Sequence, residues 1–132
     1  MNILSWFQKS NQKTSGALAE NLACEYLKKN NYKIIEVNFS CKLGEIDIIA
    51  SEEKKLVFVE VKYRKNKSAS RSAKAAVTKS KQKKIILTAK WYLKGKYKDS
   101  NKIPACRFDV VTIEGALENP EIELYKNAFL AK

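Results

Sequence analysis

Histidine is absent from the 132 residues. That absence removes several classes of chemistry at once. Ser-His-Asp and Cys-His nucleophile activation, His-ligated zinc and imidazole-dependent nuclease chemistry all require the missing ring. Any acid, base or metal ligand must be a carboxylate, a lysine or a tyrosine. Cysteine is scarce: Cys24, Cys41 and Cys106 form an odd set with no CxxC pair. A disulfide framework or zinc knuckle is not expected, and the three read as reduced, inert thiols. No apolar run approaches the ~18 residues of a membrane span. The opening MNILSWFQKSNQKTSG has no long apolar core of the kind a secretory signal carries. A cytoplasmic protein with no membrane partner is expected.

Acidic residues are missing from a whole segment. Between Glu60 and Asp99 there is no Asp or Glu, against 14 Lys or Arg. The remaining 12 basic residues face all 14 acidic ones, so this segment alone carries the +12 net charge. Charge added for solubility would be spread more evenly. A polyanion, nucleic acid before an anionic membrane surface, is the natural partner.

What is present is enough for one domain with a real hydrophobic core, at 45% hydrophobic residues. Residues 1–13 read as a loose polar arm, with Trp6 and Phe7 unexplained, and 14–132 as a single domain. Ala17, Leu18, Leu22, Tyr26 and Leu27 recur at helical spacing, with Thr14 or Ser15 as cap and Asn30-Asn31 as stop. Strands are expected at 32–39, 45–50, 56–62 and 105–113, with a short edge strand at 121–125. Residues 63–77 form a basic connection rich in small residues. A second helix starts at Thr78, uses Ile85, Ile86, Ala89, Tyr92 and Leu93 as its core face, and stops at Gly95. Trp91 and Tyr92 are expected to pack in the core and at its rim rather than to serve as base-stacking platforms. The class is α/β or α+β, a mixed central sheet flanked by helices.

The stretch GEIDIIASEEKKLVFVEVK, residues 44–62, carries the chemistry. Two strands joined by a few polar residues make a hairpin. A turn at 52–55 sets Asp47 opposite Glu60 and Glu45 opposite Lys62, all on one face. The other face, Ile46, Ile48 and Ala50 against Val57, Val59 and Val61, is entirely apolar. Opposed carboxylates destabilise a sheet unless something positive compensates. Lys62 does so in part, and a divalent cation would do so fully. Asp47, Glu60, the Val61 carbonyl and waters suit an octahedral Mg²⁺ (or Mn²⁺) shell. Lys62 beside it can orient a water or offset phosphate charge. The bland alternative is an exposed sheet face carrying Glu–Lys pairs. Lys79, Lys81, Lys83 and Lys84 crowd the start of the second helix, where positive charge opposes the helix dipole. A bound phosphate there would be held by both. Arg107 and Asp109 share a strand face and are expected to pair.

These motifs also resemble a known family. Gly16 to Glu20, Asn38, GEID at 44–47, FVEVKYR at 58–64, Val77, Lys81-Gln82 and RFDVV at 107–111 are similar, in order, to the YraN family of small bacterial proteins. That family is related to archaeal Holliday-junction resolvases in the restriction-endonuclease-like PD-(D/E)xK superfamily. The resemblance spans about residues 14–114. It implies a single-domain restriction-endonuclease-like fold with an αβββαβ core. It implies Asp47 and Glu60 as metal ligands, Lys62 as catalytic lysine and Glu20 as a helix-borne acid reaching toward the metal. It sets Lys81 and Gln82 in the same cleft. Kinship with resolvases suggests a homodimer, for which no apolar stripe in the sequence argues independently.

The expected function is Mg²⁺-dependent hydrolysis of DNA, branched or otherwise structured. Asp47, Glu60 and Glu20 would hold the metal, with Lys62 assisting the water. The nucleic-acid contacts would be Arg64, Lys65, Lys67, Arg71, Lys79, Lys81, Gln82 and Lys84. The alternatives are a nucleic-acid binding module of the same fold without catalysis, and an adaptor whose basic segment docks on an acidic protein or RNA.

Overall fold

The computed structural model describes residues 14–66 and 77–131. The expectations for the arm at 1–13, and for Lys67 and Arg71, lie outside the described residues. Helix α1, Ser15–Lys29, begins where Thr14 Oγ1 accepts the Ala17 N–H at 3.2 Å. It ends in a Schellman turn: Asn31 takes φ +68°, and the Tyr32 N–H donates to Leu27 O at 3.0 Å. Its buried stripe is Ala19, Leu22, Ala23 and Leu27, rotated slightly from the expected one.

Five strands follow in one sheet, in spatial order β1-β2-β3-β4-β5. They are β1 Lys33–Cys41, β2 Gly44–Glu52, β3 Lys55–Arg64, β4 Cys106–Glu114 and β5 Glu121–Phe129. Pairing is antiparallel except between β3 and β4, which run parallel across nine residue pairs. Parallel neighbours require a crossover. Helix α2, Lys79–Lys96, lies in that connection and is capped by Thr78 Oγ1, which accepts the Lys81 N–H. α2 continues through Gly95 to Lys96, because a helical glycine costs only ~1 kcal/mol and tertiary packing overrides it. β5 is a full nine-residue strand rather than the short edge expected.

The chain is a single α/β domain, a mixed central sheet flanked by helices, with αβββαβ order extended by β5. α1 covers one face over Ile48, Ala50, Val57, Val59, Val111 and Ile113. α2 covers the other over Ile46, Ile49, Leu56, Phe58 and Val110. Two expectations are corrected here. The hairpin is buried on both faces for most of its length, since a helix lies on each side. Ile46 does not share a face with Ile48. The strand turns over at Asp47, opposite Asn38 of β1, which has left-handed φ of +53°. Among the described residues no helix is long and apolar enough to cross a membrane.

Candidate functional site

The β2–β3 ladder runs from Glu52/Lys55 to Ile48/Val59 and goes no further. Asp47 and Glu60 come next on each strand. They are therefore not a ladder pair, as the symmetric hairpin suggested, but side chains meeting where the strands part. The Val61 N–H donates to Asp47 Oδ2 at 2.8 Å, replacing a strand bond with a carboxylate bond. Glu60 is 8% exposed and lies beside Asp47. Burial first, then the Asp47 charge and its hydrogen-bonding, push the Glu60 carboxyl up to about 8. Lys81 and Lys62 pull the other way. Lys81 reaches from the first turn of α2 to place its Nζ 3.6 Å from Glu60 Oε2.

Glu20, half-buried on α1, senses the same centre. Burial raises its carboxyl, the Asp47 charge adds to that, a hydrogen bond with Asn38 opposes it and Glu45 adds more. Glu45 itself is exposed. Two lysines and four acids thus converge on one end of the sheet. Among the described residues, no three His, Cys, Asp or Glu side chains are grouped around one metal position. The donor set closest to metal use is the Asp47–Glu60 pair. Such a pair fits Mg²⁺, which binds through one or two carboxylates and keeps several waters.

The remaining candidates divide. Lys62 and Lys65 are exposed, as are Lys79 and Lys84. Arg64 is partly buried, with its Nη1 3.7 Å from Glu114 Oε2. The Gln82 amide donates to Val77 O at 2.9 Å. Gln82, Lys79, Lys83 and Ile86 line one wall of a groove of about 500 Å³, and residues 127–130 at the end of β5 line the other.

Residues distant in sequence form a second polar centre around Asp109 of β4, whose ladder partner Val59 precedes Glu60 on β3. Asp109 is fully buried and accepts four bonds: Tyr32 Oη at 2.7 Å, Arg107 Nε and Nη2 at 2.9 Å each, and the Asn127 N–H at 2.9 Å. Arg107 Nη2 also donates to Glu52 Oε1 at 2.8 Å, and Lys126 Nζ donates to Glu52 Oε2 at 2.7 Å. The Arg107–Asp109 pair was legible from its i, i+2 spacing. Glu52, expected in the turn at 52–55, instead closes β2 and is buried. Burial raises its carboxyl, but the bonds from Lys126 and Arg107 outweigh that and leave it below its ordinary value.

Comparison with known proteins finds close relatives along nearly the whole chain. A UPF0102 protein of Lachnoclostridium phytofermentans is 44% identical over 122 residues, covering 90% of this chain and 95% of the relative. One of Geotalea daltonii is 45% identical over 123 residues, covering 92% and 93%. One of Psychromonas ingrahamii is 41% identical over 120 residues, covering 91% and 93%. The family model matches residues 19–113, from the buried stripe of α1 through β4, and the chain belongs to the uncharacterised protein family UPF0102.

Proposed function

We propose that the protein is a Mg²⁺- or Mn²⁺-dependent endonuclease of the PD-(D/E)xK type, in keeping with its YraN-like motifs. Its substrate would be branched or otherwise structured DNA. One observation carries this reading: the Asp47 and Glu60 carboxyls meet where β2 and β3 part, close enough for each charge to act on the other, with Lys81 Nζ 3.6 Å from Glu60 Oε2. Two acids kept together at the cost of a retained proton are poised to exchange that proton for a cation. When bound, the cation supplies charge neutralisation for the phosphate under attack.

The chain's own groups do the rest. Glu60 releases its proton as the cation binds. Asp47 is held in place by the Val61 amide. Lys81, exposed on the first turn of α2, contacts a phosphate oxygen. Lys62, exposed at the end of β3, orients the attacking water. The attacking water gives up a proton to solvent as the new P–O bond forms and the bond to the leaving oxygen breaks, and the leaving oxygen takes up a proton from solvent. The basic run from Lys62 to Lys98 tracks the backbone.

A second reading, a DNA-binding module without catalysis, is favoured because no third carboxylate among the described residues is grouped with the pair around one metal position. The test is cleavage of labelled four-way junction, flap, single-stranded and duplex DNA with Mg²⁺, Mn²⁺ or EDTA. Metal-dependent nicking lost in Asp47→Ala, Glu60→Ala and Lys62→Ala supports the enzyme. Binding without nicking, unaffected by Asp47→Ala, supports the module.

A further inference from the structure

Tyr92 is buried as expected, but its neighbour Trp91 is not. Trp91 is 45% exposed, and Leu87, one turn earlier on the same side of α2, is 48% exposed. The turn between β1 and β2 lies against this side. Lys42 places its Nζ 5.2 Å from the centre of the Trp91 ring. Leu43 is also exposed, and Gly44 abuts Lys84 and Thr88. The result is an apolar patch centred on an indole, bordered by the exposed Lys42, Lys84, Lys90 and Lys94. Neither the turn nor α2 carries an acidic residue.

We propose that Trp91 and Lys42 form a stacking platform for an unpaired base of single-stranded DNA. Aromatic faces beside lysines are how proteins hold single strands without reading sequence. A second copy of this chain would set lysines against lysines. An unpaired base brings a π-face to the indole and a phosphate to the lysines. Lys42, on an exposed and flexible stem, can yield the ring to the base and turn to that phosphate.

The proposal rests on the nuclease reading and narrows its substrate. Lys81, at Glu60, and Trp91 are ten residues apart on α2, or about 15 Å along its axis. A stacked strand rising ~3.4 Å per nucleotide covers that in about four nucleotides. The substrate class is DNA with an unpaired segment close to the scissile phosphate, as in a flap or an open junction.

The test needs no metal and no cleavage. Trp6→Phe leaves Trp91 as the sole tryptophan. Oligo(dT) and a duplex of equal length are titrated in EDTA at fixed salt. Oligo(dT) should quench Trp91 emission. Trp91→Ala should weaken oligo(dT) binding about tenfold and leave duplex binding and the melting temperature unchanged, while Trp91→Phe retains most affinity. Absence of quenching, or equal loss for single strand and duplex, overturns the proposal. So does a Trp91 response to phosphatidylserine vesicles in place of oligo(dT), or a change of oligomeric state as the sole effect of Trp91→Ala. Because EDTA is present throughout, a failure of the protein to nick any DNA in the cleavage assay is a separate result and leaves this one standing.

Discussion

Val61 donates its backbone N–H to Asp47 Oδ2 across 2.8 Å. The bond stands where the β2–β3 ladder would otherwise continue, so the end of the ladder and the start of the site are one event. It commits one Asp47 oxygen to the backbone and fixes that carboxylate beside Glu60. Burial and the Asp47 charge together push up the carboxyl of Glu60, the more deeply buried partner.

The raised carboxyl makes stability fall as pH rises. The Glu60 carboxyl is pushed up to about 8 from an ordinary 4.5. Between those values the folded protein holds a proton that the unfolded chain has released. The unfolding free energy therefore declines through this window and levels off above it, by an order of a few kcal/mol in all. Urea denaturation across the range should show the decline. Glu60→Gln, neutral at every pH, should flatten it and be the more stable protein at the alkaline end. An equal slope in both proteins would mean that Glu60 does not hold the proton.

Mg²⁺ should reverse the alkaline loss. A cation binds the ionised pair and not the unfolded chain. At a hundredfold excess over its Kd it adds about 2.7 kcal/mol. Binding should also release a proton, and fewer of them as pH passes 8. Calorimetry in buffers of different ionisation enthalpy measures that release directly. Asp47→Asn should lose both the stabilisation and the proton release. Stabilisation that persists in Asp47→Asn would place the cation elsewhere.

The second polar centre is structural, and its prediction concerns folding. Asp109 has no exposure and accepts from Tyr32, twice from Arg107 and from the Asn127 backbone. Asp109→Ala leaves the Arg107 charge short of a partner and two further donors unmet, at a cost of about 3–5 kcal/mol. Tyr32→Phe removes a hydroxyl that donates to Asp109 and accepts from Arg107, and should cost about 1.5–3 kcal/mol. Chemical denaturation ranks the two, and the reverse order would show that Tyr32 is the keystone instead.

Gly44 tests how closely α2 and β2 approach. A Cβ built there would lie 2.8 Å from Thr88 Oγ1, a fully buried hydroxyl that donates to Lys84 O at 2.7 Å. Gly44→Ala is therefore expected to destabilise by about 1–3 kcal/mol. It should also shift the β1–β2 turn, whose Lys42 sits over Trp91. Removing the hydroxyl in Gly44→Ala with Thr88→Ala should recover part of the loss in thermal melts.

The elements were largely legible in the sequence because each carried local signals. Thr14 and Thr78 cap helices with apolar stripes, and the β-branched runs around Ile48 and Val59 mark central strands. The pairing of Asp47 with Glu60 was legible for a partly wrong reason. Hairpin symmetry brings them together, but the ladder stops before them. Ile46 was assigned to the wrong face because alternation assumes a regular strand. The irregularity at Asp47 goes with Asn38, a residue of another strand. Tyr32, Glu52, Asp109 and Lys126 could not be linked in advance. Their contacts cross up to 77 residues, and no spacing rule spans such gaps. Which of Trp91 and Tyr92 would lie at the rim was not legible, because helical periodicity places them side by side without showing which side of the stripe is covered.

Lys81 joins the carboxylate pair to the proposed phosphate track, and its removal separates the two roles. Its Nζ lies 3.6 Å from Glu60 Oε2 and lowers the Glu60 carboxyl. Lys81→Ala should therefore move the pH-dependent loss of stability to higher pH, since Glu60 then keeps its proton longer. If Lys81 also contacts a phosphate, the same change should reduce the slope of log affinity against log salt by about 1, measured in EDTA. Lys54→Ala, in the exposed turn between β2 and β3, should alter neither quantity. A shift in the stability profile with an unchanged salt slope would confine Lys81 to tuning Glu60 and move the DNA path away from the first turn of α2.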